Sequence, residues 1–305
     1  MQSRRKFISN VGLGLGASSL ALSSLGSAFA QTSDDAATPP HRLRKSLKFY
    51  MVQGSGSIAD KFGIAKEAGF EGVELDTPGI NIEMAKEAAK ATGLIIDGTV
   101  CNNHWQVRHT DPDPKVREAA LKSCIAGLRE TAALGGDTML LVAGHGQDGS
   151  PKEIFDRAVA NIRLAIPVAE EVGIKIAIEN VWNHFMYDHE GGTDQTADEL
   201  ARFIDTFDSP WVGVQFDIGN HWKYGDPAGW IRTLGKRIIK LDVKGYSRAK
   251  NGWTQMAQSD IDWKGVREAL AEIDFKGWVA AEMGAGNLDY LKQVSKEMDE
   301  LLVIG

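Results

Sequence analysis

Eight short apolar runs, each followed by a longer stretch of helical periodicity, constrain the fold of this chain more than any other feature of its sequence. The runs are "LKFYMVQ" (47–53), "GVELD" (72–76), "GLIIDGTV" (93–100), "DTMLLVAG" (137–144), "KIAIEN" (175–180), "VGVQFD" (212–217), "IIKLDVKG" (238–245) and "GWVAAEM" (277–283). Segments such as "SIADKFGIAKEAGF", "REAALKSCIAGLRETAALGG" and "EIFDRAVANIRLAIPVAEEVG" lie between them. Their apolar residues recur every three or four positions, and each closes at a glycine, as helix C-termini commonly do. Eight strand-helix units within residues 46–305 is the count of a (β/α)8 barrel. The alternative is a doubly wound open sheet, which carries a G-x-G-x-x-G fingerprint after its first strand. Here that position reads "VQGSGSIAD", without the fingerprint. The chain is therefore predicted to be α/β, a single-domain (β/α)8 TIM barrel spanning 46–305.

The residues before the barrel read differently. "SRRKF" precedes the small, apolar run "VGLGLGASSLALSSLGSAFA", which ends in the A-x-A site Ala28-Phe29-Ala30. Residues 1–30 resemble a twin-arginine export signal with Arg4 and Arg5 as the pair. A membrane-spanning helix is the competing reading, but the segment is rich in Gly and Ser and short for a span. Residues 31–45, "QTSDDAATPPHRLRK", are polar with a Pro pair and are expected to be a disordered leader. These segments predict a periplasmic protein with no stable membrane insertion once the signal is cleaved. Cleavage removes three positive charges and no acid, taking the formal charge from −7 to −10. So acidic a chain makes a poor nucleic-acid partner, because phosphate binding needs a basic surface. In an oxidising compartment Cys101 and Cys124 are free to pair or to remain buried thiols, and spacing decides neither.

If the chain is a barrel, its chemistry belongs at the C-terminal strand ends and in the loops after them. The residues there are Glu74, His104, His145, Glu179, Asp217, Asp242 and Glu282. The fifth to eighth strands each end in a carboxylate after an apolar run. Neighbouring strands lie about 5 Å apart, so Glu179, Asp217, Asp242 and Glu282 would line one wall of the mouth. Four carboxylates that close repel unless some are protonated or a cation holds them. A divalent ion satisfies the set, and all-oxygen ligation favours Mn2+ or Mg2+ over zinc. Ligation by His221 would admit Co2+ or Zn2+. Two of the acids have structural alternatives. Asp217 suits the cap of the "IGNHW" turn, and Asp242 could pair with Lys240 or Lys244, since all three stand at alternate positions of "RIIKLDVKGY".

The motifs "AGFEGVEL" (68–75), "IAIENVWNHF" (176–185), "VGVQFDIGNHWKYGDP" (212–227), "RIIKLDVKGY" (237–246) and "GWVAAEM" (277–283) resemble the xylose isomerase-like barrel superfamily, the sugar phosphate isomerase/epimerase group. The resemblance covers nearly all of 46–303 and implies one divalent ion held at Glu179, Asp217, Asp242 and Glu282. Asp242 stands where the family usually has histidine. The same resemblance gives Glu179 and Glu282 the catalytic proton transfers and places Glu74 against the substrate.

Such a metal polarises a carbonyl and its adjacent hydroxyl, stabilising an enediolate as the neighbouring carbon loses its proton. Return of the proton to the opposite face makes an epimer, and return to the adjacent carbon an aldose-ketose isomer. His104, His145, His221, Trp182 and Lys244 are candidate substrate-binding groups, with Trp105 and Trp222 as further stacking faces. Lys240, deeper along its strand, reads as a structural counter-ion. Export argues for a free or keto sugar as the small-molecule substrate. The rivals are a lyase or dehydratase acting on a keto-sugar or 3-keto-glycoside, a non-catalytic sugar-binding barrel, and a metal-dependent endonuclease. The endonuclease asks for more histidines and a basic groove than the chain offers. Self-association into a homo-oligomer stays open.

Overall fold

The computed structural model describes residues 43–304. The predicted signal at 1–30 and most of the predicted leader at 31–45 lie outside them.

Eight parallel strands close into a barrel: β1 (Arg44–Lys48), β2 (Gly72–Thr77), β3 (Ile95–Cys101), β4 (Thr138–Leu141), β5 (Lys175–Glu179), β6 (Val212–Asp217), β7 (Ile238–Val243) and, after a hairpin of β8 (Gly245–Ser247) and β9 (Gly252–Thr254), β10 (Trp278–Ala281). Neighbours in the barrel follow chain order, with β10 pairing β7 on one side and β1 on the other. The fold class predicted from the eight runs is the one observed. The first strand was misplaced. It is Arg44–Lys48, because Phe49–Met51 winds into a turn of 3-10 helix instead of continuing the expected 47–53 strand. The ordered barrel thus begins inside the predicted leader.

Helices α1 (Ile58–Glu67), α2 (Ile82–Thr92), α3 (Pro114–Leu134), α4 (Pro151–Arg163), α5 (Ile166–Val172), α6 (Asp198–Asp205), α7 (Ile218–Trp222), α8 (Pro227–Leu234), α9 (Trp263–Glu272) and α10 (Leu288–Leu302) surround it. Local chemistry sets several of their ends. Ser57 with Asp60 and Ser150 with Glu153 form reciprocal capping boxes at α1 and α4, and Asp113 caps α3 ahead of Pro114. The outward side chains of the strands, among them Leu47, Phe216, Leu241 and Val279, pack under these helices in one apolar cluster. No helix among the described residues is long and apolar enough to cross a membrane. Cys101 and Cys124 are buried free thiols.

The barrel interior, by contrast, is charged. Lys240 is fully buried, with its Nζ 2.6 Å from Glu74 Oε1 and in contact with Asp97. Asp97 also accepts from the Ser46 hydroxyl at 2.9 Å, and Gln215 Nε2 donates to Glu74 Oε1 at 3.0 Å. The alternating charges of "RIIKLDVKGY" therefore face inward, where each meets an opposite charge from another strand. The counter-ion role expected for Lys240 matches its place here. Isolated ions would be costly at this depth, so the network holds only while its members stay paired.

Candidate active site

Three of the four acids predicted at the strand ends converge. Glu179 ends β5, Asp217 ends β6 and Glu282 directly follows β10. One carboxylate oxygen from each lies within 4.8 Å of the others. Asp217 takes the capping role the sequence allowed, Oδ1 accepting from the Asn220 amide at 2.8 Å, while Oδ2 faces the Lys244 ammonium at 2.6 Å. Lys244 reaches Glu282 Oε2 as well, at 2.8 Å, and so bridges two of the three acids. Its stem passes over Gly219, where a Cβ would sit 2.3 Å from Lys244 Cγ, so only glycine at that point of α7 leaves room. Asn220 completes the group, its Nδ2 lying 3.3 Å from Glu179 Oε1.

Asp242 stands outside this group. Gln215 Nε2 donates to its Oδ1 at 2.8 Å, and Lys48 Nζ lies 3.0 Å from its Oδ2. Neither Lys240 nor Lys244 is that partner. Lys48 comes from β1 and also contacts Glu74. The expectation of a fourth carboxylate in the cluster is corrected accordingly, because Lys48 and Gln215 hold Asp242 among the buried charges below the cluster.

Burial pushes the Glu179 carboxyl well above the usual range, with the negative charges of Glu282 and Asp242 adding to it. Burial likewise raises Asp217 to about 6 against the opposing pull of Lys244, and Asp242 to about 8 against that of Lys48. Glu282 moves the other way: burial raises it, but Lys244 and Lys48 together outweigh burial and hold it below the usual value. Carboxylates this unlike, gathered at one mouth, mark a site that favours a bound cation or a retained proton.

A cavity of about 340 Å³ opens over the cluster. Glu179, Glu282, Lys244, Glu74, His104, Trp182, Trp105 and Asn220 line it, together with Lys48, Tyr50 and Asp76. His104 is buried and accepts from the Val142 amide at 3.3 Å, and burial with Lys48 nearby lowers its ring to about 4, so it is neutral at pH 7. Two predicted substrate-binding residues are elsewhere. His145 sits in the loop after β4, its Nδ1 accepting from the Gln147 amide at 3.1 Å. His221 is buried with its ring 3.7 Å from that of Trp230, in an aromatic cluster with Tyr187 and Phe216. Trp222 is also removed from the cavity, donating to Asp260 Oδ1 and covered by the Arg248 guanidinium.

Lys48, Asp76 and Tyr50 were missed. Lys48 is the last residue of β1 and obeys the strand-end rule, but the sequence pattern puts the end of that strand at 53, five residues too late. Asp76 ends the run "GVELD" as read from the sequence, but only Glu74 of that run is singled out there; β2 continues to Thr77, and both acids line the cavity.

The residues present fit a hard divalent ion. One carboxylate oxygen from each of Glu179, Asp217 and Glu282 converges, two of their owners being fully or nearly buried, and among the described residues no imidazole or thiol belongs to the set.

Comparison with known proteins agrees with this fold. A curated mannonate dehydratase of Streptococcus pneumoniae is 23% identical over 232 residues, covering 67% of this chain and 63% of that one. An uncharacterised protein of Methanocaldococcus jannaschii is 28% identical over 133 residues, 43% of this chain and 44% of its own. The chain thus matches less than two thirds of the length of either relative. Among solved structures, a 3-keto-D-glucoside 4-epimerase from E. coli superposes with a TM-score of 0.70 at 19% identity, over 86% of this chain and 100% of that one. An L-ribulose 3-epimerase gives 0.70 at 16%, over 86% and 95%. A protein described with a bound zinc atom gives 0.70 at 15%, over 85% and 98%. At these identities the structures share the fold. The family description that covers residues 62–302 is the xylose isomerase-like TIM barrel, and with its closed parallel barrel and its carboxylates at the strand ends this chain belongs to that family.

Proposed function

We propose that the protein is a divalent-metal-dependent sugar epimerase or isomerase acting on a free or keto sugar. The observation that carries this is the convergence of Glu179, Asp217 and Glu282, of which Glu179 and Glu282 line a cavity of about 340 Å³, near the low end of the range for small-molecule sites. Glu179, Asp217 and Glu282 would hold the ion, and oxygen-only donors favour Mn2+ or Mg2+ over Co2+ or Zn2+. When bound, it supplies positive charge to a carbonyl oxygen of the substrate and so acidifies the neighbouring C–H.

Glu179 and Glu282 enter the cavity from β5 and β10, with β6 and β7 between them in the barrel. A carbon positioned between two such carboxyls loses its proton to one and regains it from the other, which inverts the centre. Lys244 holds the Glu282 carboxylate in place and keeps it ionised, and Asn220 orients Glu179. Trp182 lines the cavity as a fixed aromatic wall, its Nε1 committed to the Asn220 carbonyl at 2.8 Å and its ring stacked on Trp253. Support from outside the chain comes from the structural likeness to proteins described as sugar epimerases.

The test is deuterium incorporation from solvent into a panel of ketoses and 3-keto sugars, followed by NMR. Exchange at one carbon, lost in Glu179→Gln and in Glu282→Gln, is the expected result. No exchange into any sugar, or exchange indifferent to both substitutions, would overturn the proposal.

A second reading rests on the likeness to mannonate dehydratase. Here the same deprotonation is followed by loss of an oxygen substituent on the next carbon, and the NMR panel would register an enone instead of exchange. We also propose export to the periplasm on the strength of residues 1–30, for which a mature N-terminus at Gln31 is the check.

A further inference from the structure

A second cavity, of about 650 Å³, adjoins the first. Its walls include Trp253, Gln255, Gly284 and Tyr290, and it shares Tyr50, Lys244 and Glu282 with the cavity over the carboxylates. The partition between the two is aromatic. Trp182 faces the first cavity and Trp253 the second, and their rings stack 4.8 Å apart at 17°. Trp253 is carried by the β8–β9 hairpin, opposite Tyr246, yet it remains 53% exposed, and Tyr50 at the junction is 51% exposed. Large aromatic rings left that open at the rim of a site are surfaces for a ligand.

We infer that the second cavity is a subsite for the group attached to the reacting sugar, so that the substrate is a glycoside and not a free monosaccharide. This inference rests on the proposed function. The two cavities meet at Glu282, one of the two proton-transfer candidates. A molecule occupying both must therefore be continuous across that point, with the bond joining its two parts beside the carboxylate. The occupant of the second cavity is a ring with a flat apolar face, which packs on the Trp253 indole while Thr254 and Gln255 offer polar contacts at its edge. A second sugar ring and an aryl group share that chemistry, and the binding experiment separates them.

The experiment uses the purified full chain and three probes, the methyl glycoside, the phenyl glycoside and the glucosyl disaccharide of 3-keto-glucose, with affinity read by calorimetry and by tryptophan fluorescence. The phenyl glycoside, the disaccharide or both are expected to bind roughly tenfold more tightly than the methyl glycoside, as one well-stacked ring provides. Whichever of the two binds more tightly identifies the ring. Gly284→Leu places a side chain in the second cavity at a position where an added Cβ meets nothing within 4 Å. It should bring the ratio of methyl to extended affinity close to one. Trp253→Ala should do the same and reduce the fluorescence response to the extended probe to that of the methyl glycoside, since Trp105 and Trp182 remain in the first cavity. Equal affinities of all three probes in the wild type, or a preference that survives both substitutions, would overturn the inference. The two proposals fail separately. Proton exchange without a preference for extended glycosides removes the subsite alone, whereas tight binding of an extended glycoside with no exchange into any sugar removes the catalytic reading and keeps the subsite.

Discussion

Replacing Lys244 by Met removes the one cation that contacts both Asp217 and Glu282 among the described residues. Breaking a fully buried ion pair from one side costs about 3–5 kcal/mol. Here the side chain of Asp217 is 0% exposed but those of Lys244 and Glu282 are 13% and 24% exposed, so the cost belongs near the lower bound, about 3 kcal/mol at pH 8 in EDTA. For a domain of this size that corresponds to a fall in Tm of roughly 6–12 °C. Two further conditions give the prediction its sign. Asp217 already sits at about 6, above its unfolded value, and rises further without the ammonium. A carboxyl raised by folding binds its proton more tightly in the native state, so the variant regains stability as the pH falls through that raised value, and its deficit shrinks by pH 5. A divalent ion held by Glu179, Asp217 and Glu282 would replace the lost positive charge, so with millimolar Mn2+ at pH 8 the deficit should fall below about 1 kcal/mol. Differential scanning calorimetry in EDTA and in Mn2+, at pH 5 and pH 8, reads all four values. Equal deficits in EDTA and Mn2+, or a fall of less than about 2 °C in EDTA, would refute the reasoning.

The interior charges give a second prediction. Lys240→Met leaves Asp97 buried beside Ser46 alone and should cost about 3–5 kcal/mol in urea unfolding, more than half of it recovered in Lys240→Met with Asp97→Asn, where no unpaired charge remains. A third concerns acid. Burial, with His104 adjacent, lowers His109 to about 3, so between pH 6.5 and that value the unfolded chain takes up a proton that the folded chain refuses. Stability contributed by the neutral ring is complete above about pH 6.5 and is lost as the pH falls, by about 2–3 kcal/mol at pH 4.5. The stability of His109→Gln should fall less between pH 7 and pH 4.5 than that of the wild type, and parallel pH curves would remove His109 from the account.

The barrel is legible because its strands read as short, mainly apolar runs between helical stretches, and seven of the eight fall where expected. The first did not: "FYMVQ" has the composition of a strand, and a 3-10 turn claims its first three residues. Lys48 was lost with that boundary. The acids at the strand ends could be found from the topology rule alone, but which of them face one another depends on partners far away in the chain. Lys48 draws Asp242 out of the cluster from 194 residues earlier, a pairing no local pattern carries. His145 and His221 mislead for a related reason. Both follow strand ends in sequence, yet His221 of α7 packs onto Trp230 of α8, and His145 folds over its own loop. For Asp217 the capping role is legible from the turn that follows it, while the Lys244 partner of its other oxygen comes from the end of β7, 27 residues later.

The account depends on three oxygens, from Glu179, Asp217 and Glu282, serving as one cation site. Titration calorimetry of the chelator-stripped protein with Mn2+ tests that most directly. One ion per chain should bind to the wild type, with affinity lost by a hundredfold or more in Asp217→Asn combined with Glu282→Gln, while Asp242→Asn retains binding within about tenfold. Stripped wild-type protein that takes up no ion, or a double variant that binds as the wild type does, would contradict it.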